Sequence, residues 1–294
     1  MADRKKRRGD RKDGYLVRET DSLHAIVPYI LPNRADNEAV MTETMDMTNV
    51  LKYIEEKNSD DPEFRYTFFH FICAALAKTI TLRPKMNRFY SGHRLYDRKD
   101  LLFSFVVKRK FADDGAEALA TVKIDRDSDV PALDQIYEQV KKFVYAVRKT
   151  DKKDGTTDKM DLLLIMPRPI LRFAMWVLRR LEYHGHYPKA LMYDDPYYSS
   201  VFLSNLGSIK MSADYHHLAN WGTNSIFVIV GEMKPMPFYA EDGSVTVRHA
   251  LKLSLTIDER IADGFYFANS IKILRKIFEN PELIDRPLNE PIEI

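Results

Sequence analysis

The chain has 294 residues, with 45 Lys and Arg against 43 Asp and Glu, 45% hydrophobic residues and a single cysteine. A chain of this length buries about three quarters of the surface it exposes when unfolded, so one large domain or two modest ones can be stable without disulfides. With 12% aromatic residues as well, a disulfide scaffold and a wholly disordered chain are both excluded.

The charge is uneven. Residues 1–12 hold seven basic and two acidic side chains, which leaves the rest of the chain mildly acidic at −3. A basic arm can track phosphate or anionic lipid, yet this one has no interleaved aromatic residues and leads into no nucleic-acid module. A disordered tail over residues 1–14 is expected, with no nucleic-acid partner. No apolar run follows it as in a signal peptide, and the most apolar window, residues 162–181, contains Arg168, Arg172, Arg179 and Arg180. A soluble, cytoplasmic protein without a membrane span or membrane partner is the expectation.

In chain order, residues 65–82 read as a helix that is apolar nearly all round and stops before Arg83-Pro84. Cys73 lies inside it and reads as a buried small hydrophobe. Leu101–Lys108 reads as a strand. Residues 131–149 predict an amphipathic helix with Leu133, Ile136, Tyr137, Val140, Phe143, Val144 and Val147 on one face. The charged stretch Lys149–Lys159 predicts a surface loop. Pro169–Tyr183 predicts a second amphipathic helix with its arginines toward water.

Residues 201–206, 225–230, 235–239 and 245–257 read as strands, with Glu241-Asp242-Gly243-Ser244 turning the last pair. After Asp263-Gly264 a final helix places Phe265, Ala268, Ile271, Leu274, Ile277 and Phe278 inward, and Pro281 stops it. Helices that do not alternate strictly with strands predict an α/β fold with a mixed sheet, not a doubly wound parallel one.

The sequence has no glycine-rich phosphate loop, HExxH, CxxC or GxSxG elbow. His184-Gly185-His186 and His216-His217 bring imidazoles together, but no Cys or Glu stands at a telling offset, so no metal is expected. What remains is one long C-terminal pattern. It opens at Ser204-Asn205-Leu206-Gly207-Ser208 and continues through Phe227-Val228-Ile229-Val230-Gly231, Lys234-Pro235 and the Asp242-Gly243 turn. It closes with Leu253-Ser254-Leu255-Thr256-Ile257-Asp258-Glu259-Arg260-Ile261-Ala262-Asp263-Gly264 and a helix ending Glu279-Asn280-Pro281.

This pattern resembles the catalytic domain of the dihydrolipoamide acyltransferases of 2-oxo acid dehydrogenase complexes and, by extension, the chloramphenicol acetyltransferase fold. Upstream, Thr67–Asn87 with its end Arg83-Pro84-Lys85-Met86-Asn87 looks like that family's first core helix. Glu43-Thr44-Met45-Asp46-Met47-Thr48 looks like its early strand end, so the resemblance spans residues 20–285. It implies a single acyltransferase-type domain over residues 15–294, without lipoyl or subunit-binding modules. It also implies coenzyme A or acyl-CoA as co-substrate, a small-molecule acyl acceptor, and a homotrimer with sites between subunits.

Attack of a thiol or hydroxyl on a thioester needs a base and a donor to the oxyanion. By resemblance, Ser204 is the oxyanion donor with Asn205 beside it. Asp263 and Gly264 are the end of the family's H-x-x-x-D-G, and Arg34 is the arginine that holds the aspartate. Glu259 stands where the family has histidine. A solvated carboxylate is about four pKa units too weak a base for a thiol, or about 5–6 kcal/mol, unless burial raises it. Two readings follow: a stand-alone acyltransferase using Ser204 with Glu259 or a loop imidazole, His216 or His217, and a catalytically degenerate relative that keeps the fold and trimer to bind a ligand or serve a structural role.

Overall fold

The computed structural model describes residues 5–108, 117–150, 165–192 and 195–293. The larger sheet has the order β2 (Glu38–Asp46), β10 (Val245–Asp258), β8 (Ile226–Val230), β7 (Val201–Asn205), β5 (Leu101–Lys108) and β6 (Glu117–Ile124), with β9 (Lys234–Tyr239) paired to the first half of β10. The β5–β7 and β7–β8 pairs are parallel and the others antiparallel, giving the mixed sheet expected. A smaller sheet joins β1 (Gly14–Leu16), β4 (Arg94–Arg98) and β3 (Arg88–Ser91).

The central strands are apolar at successive positions because both faces of the sheet are covered. On one face, Leu203, Val228, Leu253 and Leu255 join the main core with α2 (Thr48–Lys57), α3 (Phe68–Leu82), α4 (Ala132–Thr150) and α7 (Gly264–Glu279). Alternate residues point the other way, so Phe202, Phe227 and Ile229 form a second cluster with Ala213 and Leu218. Those two partners come from the segment 206–224, which crosses this face.

That segment is held tightly. A Cβ on Gly207 would meet the Gly231 carbonyl at 2.5 Å, and one on Gly231 would meet the Ala213 nitrogen at 2.7 Å, so backbone packs on backbone at both points. Glu38, at the start of β2, accepts from the Tyr215 hydroxyl and the Leu218 N–H.

Helix α3 is buried along most of its length, and Cys73 inside it is fully buried, which pushes its thiol pKa up. The helix begins after Thr67, later than the apolar run suggested, because Thr67 and His70 cap each other. In α4 the expected face is buried at Leu133, Ile136, Tyr137, Val140 and Val147. The first turns of the final helix are phased differently from expectation. Phe265 is 79% exposed and Ala268 is exposed, while Phe267, Ser270, Ile271, Leu274, Ile277 and Phe278 are buried. Ile271, Leu274, Ile277 and Phe278 are buried as expected, while in the first turns Phe267 and Ser270 face inward in place of Phe265 and Ala268.

The N-terminal arm differs as well. Asp10 and Arg11 are 8% and 4% exposed, and Gly14–Leu16 pairs with β4, so the fold begins inside the stretch expected to be a disordered tail. Arg11 donates to the Ser91 hydroxyl at 2.5 Å and to the Glu182 carbonyl at 2.9 Å. Met1–Arg4, and the expected loop beyond Thr150, lie outside the described residues. Among the described residues three more α-helices are present: α1 (Ser22–Ile30), α5 (Arg168–Tyr183) and the short α6 (Lys189–Met192).

Candidate active site

Strand β7 ends at Ser204 and Asn205 beside a groove of about 450 Å³. Its walls are apolar, built by Phe69 of α3, Phe105 and Val107 of β5, Val140 and Val144 of α4, and Leu206. Ser204 is half-buried, and its hydroxyl makes no hydrogen bond among the described residues. The neighbouring Asn205 has a buried Oδ1 without a partner. The Ser204 hydroxyl can donate to a carbonyl oxygen, whereas Asn205 Oδ1 can only accept; alternation along β7 turns Ser204, like Phe202, to the face opposite the α3 and α4 walls, so it meets the groove at the strand end.

His70 also lines this groove, a residue that sequence reasoning passed over because it reads there as one of several core positions of α3. Its Nδ1 accepts from the Thr67 N–H at 3.0 Å, so the neutral ring carries its proton on Nε2, which is buried without a partner. Burial pulls the His70 pKa down to about 4. Because Nδ1 is occupied and Nε2 is protonated, this imidazole is not a general base.

The low pKa has a measurable consequence for stability. Between pH 6.5 and about 4 the unfolded chain binds a proton at His70 that the folded chain refuses, so stability falls as pH falls through this window. The contribution is about 3 kcal/mol in total. His70→Gln keeps the reciprocal cap and cannot titrate. Urea unfolding at both ends of the window is expected to show a shallower acid loss in His70→Gln than in wild type.

His216 lies on the same sheet face as Ser204. Its ring stacks on Phe227 with centroids 3.9 Å apart, and Phe227 is the register partner of Phe202, two residues before Ser204. Its Nδ1 is 2.8 Å from the His217 carbonyl, which can only accept, so Nδ1 carries the proton and Nε2 keeps its lone pair. His217 is exposed and stacks on the outside of His216 at 4.7 Å.

Glu259 is elsewhere. Register pairs Ser204 with Ile229 and Ile257 with Ile226, so Glu259 lies beyond the opposite end of β8 and two strands away. At ordinary strand spacings that is about 15–20 Å. Glu259 is exposed. One chain thus does not bring Ser204 and Glu259 together.

Around Glu259 the neighbours turn inward. Asp258 is fully buried and accepts from Arg260 Nε at 2.8 Å and Nη2 at 2.7 Å. Arg34, which the resemblance paired with Asp263, has its Nε 3.7 Å from Asp258 instead. Arg34 also donates to the carbonyls of Ala219, Tyr90 and Gly222, and Arg260 to that of Leu31. Burial lowers the Arg34 pKa, with Asp258 opposing the shift. The Asp258-x-Arg260 spacing was visible in the sequence, but its meeting with Arg34 was not.

Asp263 is exposed and caps α7 by accepting from the Tyr266 N–H at 2.8 Å, which holds its carboxyl below the usual range. Gly264, also exposed, opens that helix. Neither residue contributes to the groove. His184 and His186 are exposed, and among the described residues no group of three His, Cys, Asp or Glu side chains is arranged to hold a metal ion.

These observations match known proteins. Residues 188–285 fit the family model of the 2-oxoacid dehydrogenases acyltransferase (catalytic domain). The structure of a probable dihydrolipoamide acetyltransferase from Listeria monocytogenes 4b F2365 superposes with a TM-score of 0.57 at 16% identity, covering 90% of this chain and 95% of that one. A chloramphenicol acetyltransferase structure gives a TM-score of 0.50 at 10% identity, covering 90% and 99%. The fold is that of the CoA-dependent acyltransferases.

This acyltransferase-fold chain also resembles the lipoamide acyltransferase component of the branched-chain alpha-keto acid dehydrogenase complex of Bacillus subtilis (strain 168). The two are 21% identical over 239 residues, which is 80% of this chain and 45% of the relative. The chain spans about half the length of that relative.

Proposed function

We propose that the protein transfers an acyl group from acyl-CoA to a small thiol, hydroxyl or amine acceptor, acting as a stand-alone enzyme of the acyltransferase fold. The observation that carries this reading is Ser204 at the strand end beside the apolar groove, with no hydrogen bond to its hydroxyl among the described residues. In the reaction, the acceptor heteroatom bonds to the thioester carbonyl carbon while Ser204 donates to the oxygen. A base takes the acceptor proton, the C–S bond breaks, and the proton passes to the departing CoA thiolate. His216 Nε2 is the base this reading favours, since it has a free lone pair on the face that carries Ser204.

A homotrimer fits the same reading. Glu259 is exposed at the end of the sheet opposite Ser204, so it reaches a serine only by approaching that of a second copy. In that arrangement it supplies polar contact at the boundary of a site whose proton transfer runs through His216.

The test is release of CoA thiol from acetyl-CoA and longer acyl-CoAs, with a panel of small thiols, alcohols and amines, for wild type, His216→Gln, Glu259→Gln and Glu259→His. Expected is wild-type turnover that falls about 100-fold or more in His216→Gln and changes little in Glu259→Gln. Loss in Glu259→Gln alone overturns the assignment of His216. Absence of wild-type turnover with every acyl-CoA, and its appearance in Glu259→His, overturns the enzyme reading in favour of a degenerate relative.

A further inference from the structure

Helix α5 is unusual among the helices of this fold because none of its sixteen residues is buried. Its inner line is half-buried and anchored. Leu178 packs on the cluster of Tyr187, Met192 and Tyr198, and Glu182 meets Arg11 and Ser91. The outer line is a different matter. Phe173, Trp176 and Arg180 follow one another at helical spacing, with Ile170 at the same side, and Phe173 and Trp176 are 64% and 62% exposed. Their rings stack with centroids 6.0 Å apart, in contact with each other and presented to solvent.

A line of cations runs beside these rings. Arg168, Arg172 and Arg179 adjoin them at four- and seven-residue spacing, and all are exposed. The only acid of the helix, Glu182, faces inward toward Arg11. The outer surface of α5 therefore carries four arginines and no carboxylate. Around its C-terminal end the same character continues. Exposed Tyr29 of α1 stacks on His93, which in turn meets Tyr183. Arg11, bonded to the Glu182 carbonyl, roots the arm whose Lys5, Lys6, Arg7 and Arg8 are exposed.

We infer that the outer face of α5 binds an anionic lipid surface, lying in its plane with Phe173 and Trp176 among the acyl chains and the arginines at the headgroups. Aromatic rings on one line with arginines that can reach sideways is the make-up of an interfacial helix. Charge decides between this and a second copy of the same face. Two such faces related by a two-fold axis would oppose eight arginines with no acid between them, whereas anionic headgroups neutralise them. The helix lies on the bilayer and does not cross it, in keeping with the lack of any long apolar helix among the described residues.

The test is flotation of the full chain with phosphatidylcholine vesicles and with vesicles containing phosphatidylglycerol, at low and high salt. Binding to the anionic vesicles, weakened by salt, is expected. Arg172→Glu with Arg179→Glu, and separately Phe173→Ser with Trp176→Ser, should each lower partitioning about tenfold or more. All four positions are exposed, and circular dichroism checks that the variants fold. Trp176 fluorescence should shift to the blue with anionic vesicles, and the shift should be lost in Trp176→Phe, which keeps the apolar contact. Equal binding to neutral vesicles, or no binding, overturns the proposal. So does a change of oligomeric mass in the Phe173→Ser, Trp176→Ser double variant without any vesicle binding in wild type, since the face is then covered by another copy.

Discussion

Asp258→Ala is expected to destabilise the protein by about 3–5 kcal/mol, read as a lowered urea midpoint at unchanged slope. The carboxylate is fully buried and faces two guanidiniums that are themselves 5–6% exposed, Arg260 and Arg34. Removing it leaves two desolvated cations facing each other, and the attraction that offset their burial is lost. Arg260→Ala is expected to cost less, because Asp258 keeps Arg34 at 3.7 Å. The difference between the two variants separates an ion triad from a simple pair. The cost should also appear far from the substitution, since Arg34 and Arg260 together tie the stretch 31–34 to the loop 219–222 and to Tyr90.

Ser204→Ala is expected to lower kcat for acyl transfer about 100- to 1,000-fold, with KM little changed and stability within about 0.5 kcal/mol of wild type. A hydroxyl that bonds nothing among the described residues contributes little to folding, so its removal leaves the native state intact. Its hydrogen bond forms only when charge develops on the thioester oxygen, and an interaction made only in the transition state appears in kcat. An equal loss in KM would place Ser204 in ground-state binding instead. Steady-state thiol release with wild type and variant makes the distinction.

Much of this fold can be read from residue pattern. The alternating and continuous apolar runs from Leu101 onward place β5, β7, β8 and β10 within a residue or two of their observed ends, and the expected face of α4 includes its buried Leu133, Ile136, Tyr137, Val140 and Val147. What pattern misses is what depends on contacts between distant segments. The last helix was phased from Phe265, yet an N-cap exposed at Asp263 turns that ring to solvent and starts the buried stripe at Phe267. Resemblance names Arg34 as the arginine that holds Asp263, but its partner depends on where β10 ends in space, which places it beside Asp258.

The candidate site shows the same division. Ser204 and Asn205 stand out as a strand end in a recognisable run, and they do meet a groove. Local sequence does not reveal that Glu259 is on the far side of β8, because that depends on the register of two strand pairs. The roles of His70 and His216 rest on which ring nitrogen is occupied, by the Thr67 N–H in one case and the His217 carbonyl in the other. The outward rings of α5 escape pattern reading for a simpler reason, since an amphipathic pattern gives two faces without saying which rings stay exposed, as Phe173 and Trp176 do.

The segment 206–224 joins these observations. It is pressed to the sheet by backbone contacts at Gly207 and Gly231 and is bracketed by Glu38 on either side of His216. A loop that becomes ordered only when its ligand arrives binds with an affinity reduced by that ordering. Here the ordering entropy is lost once, when the chain folds, so a ligand that reached His216 would meet a loop already set.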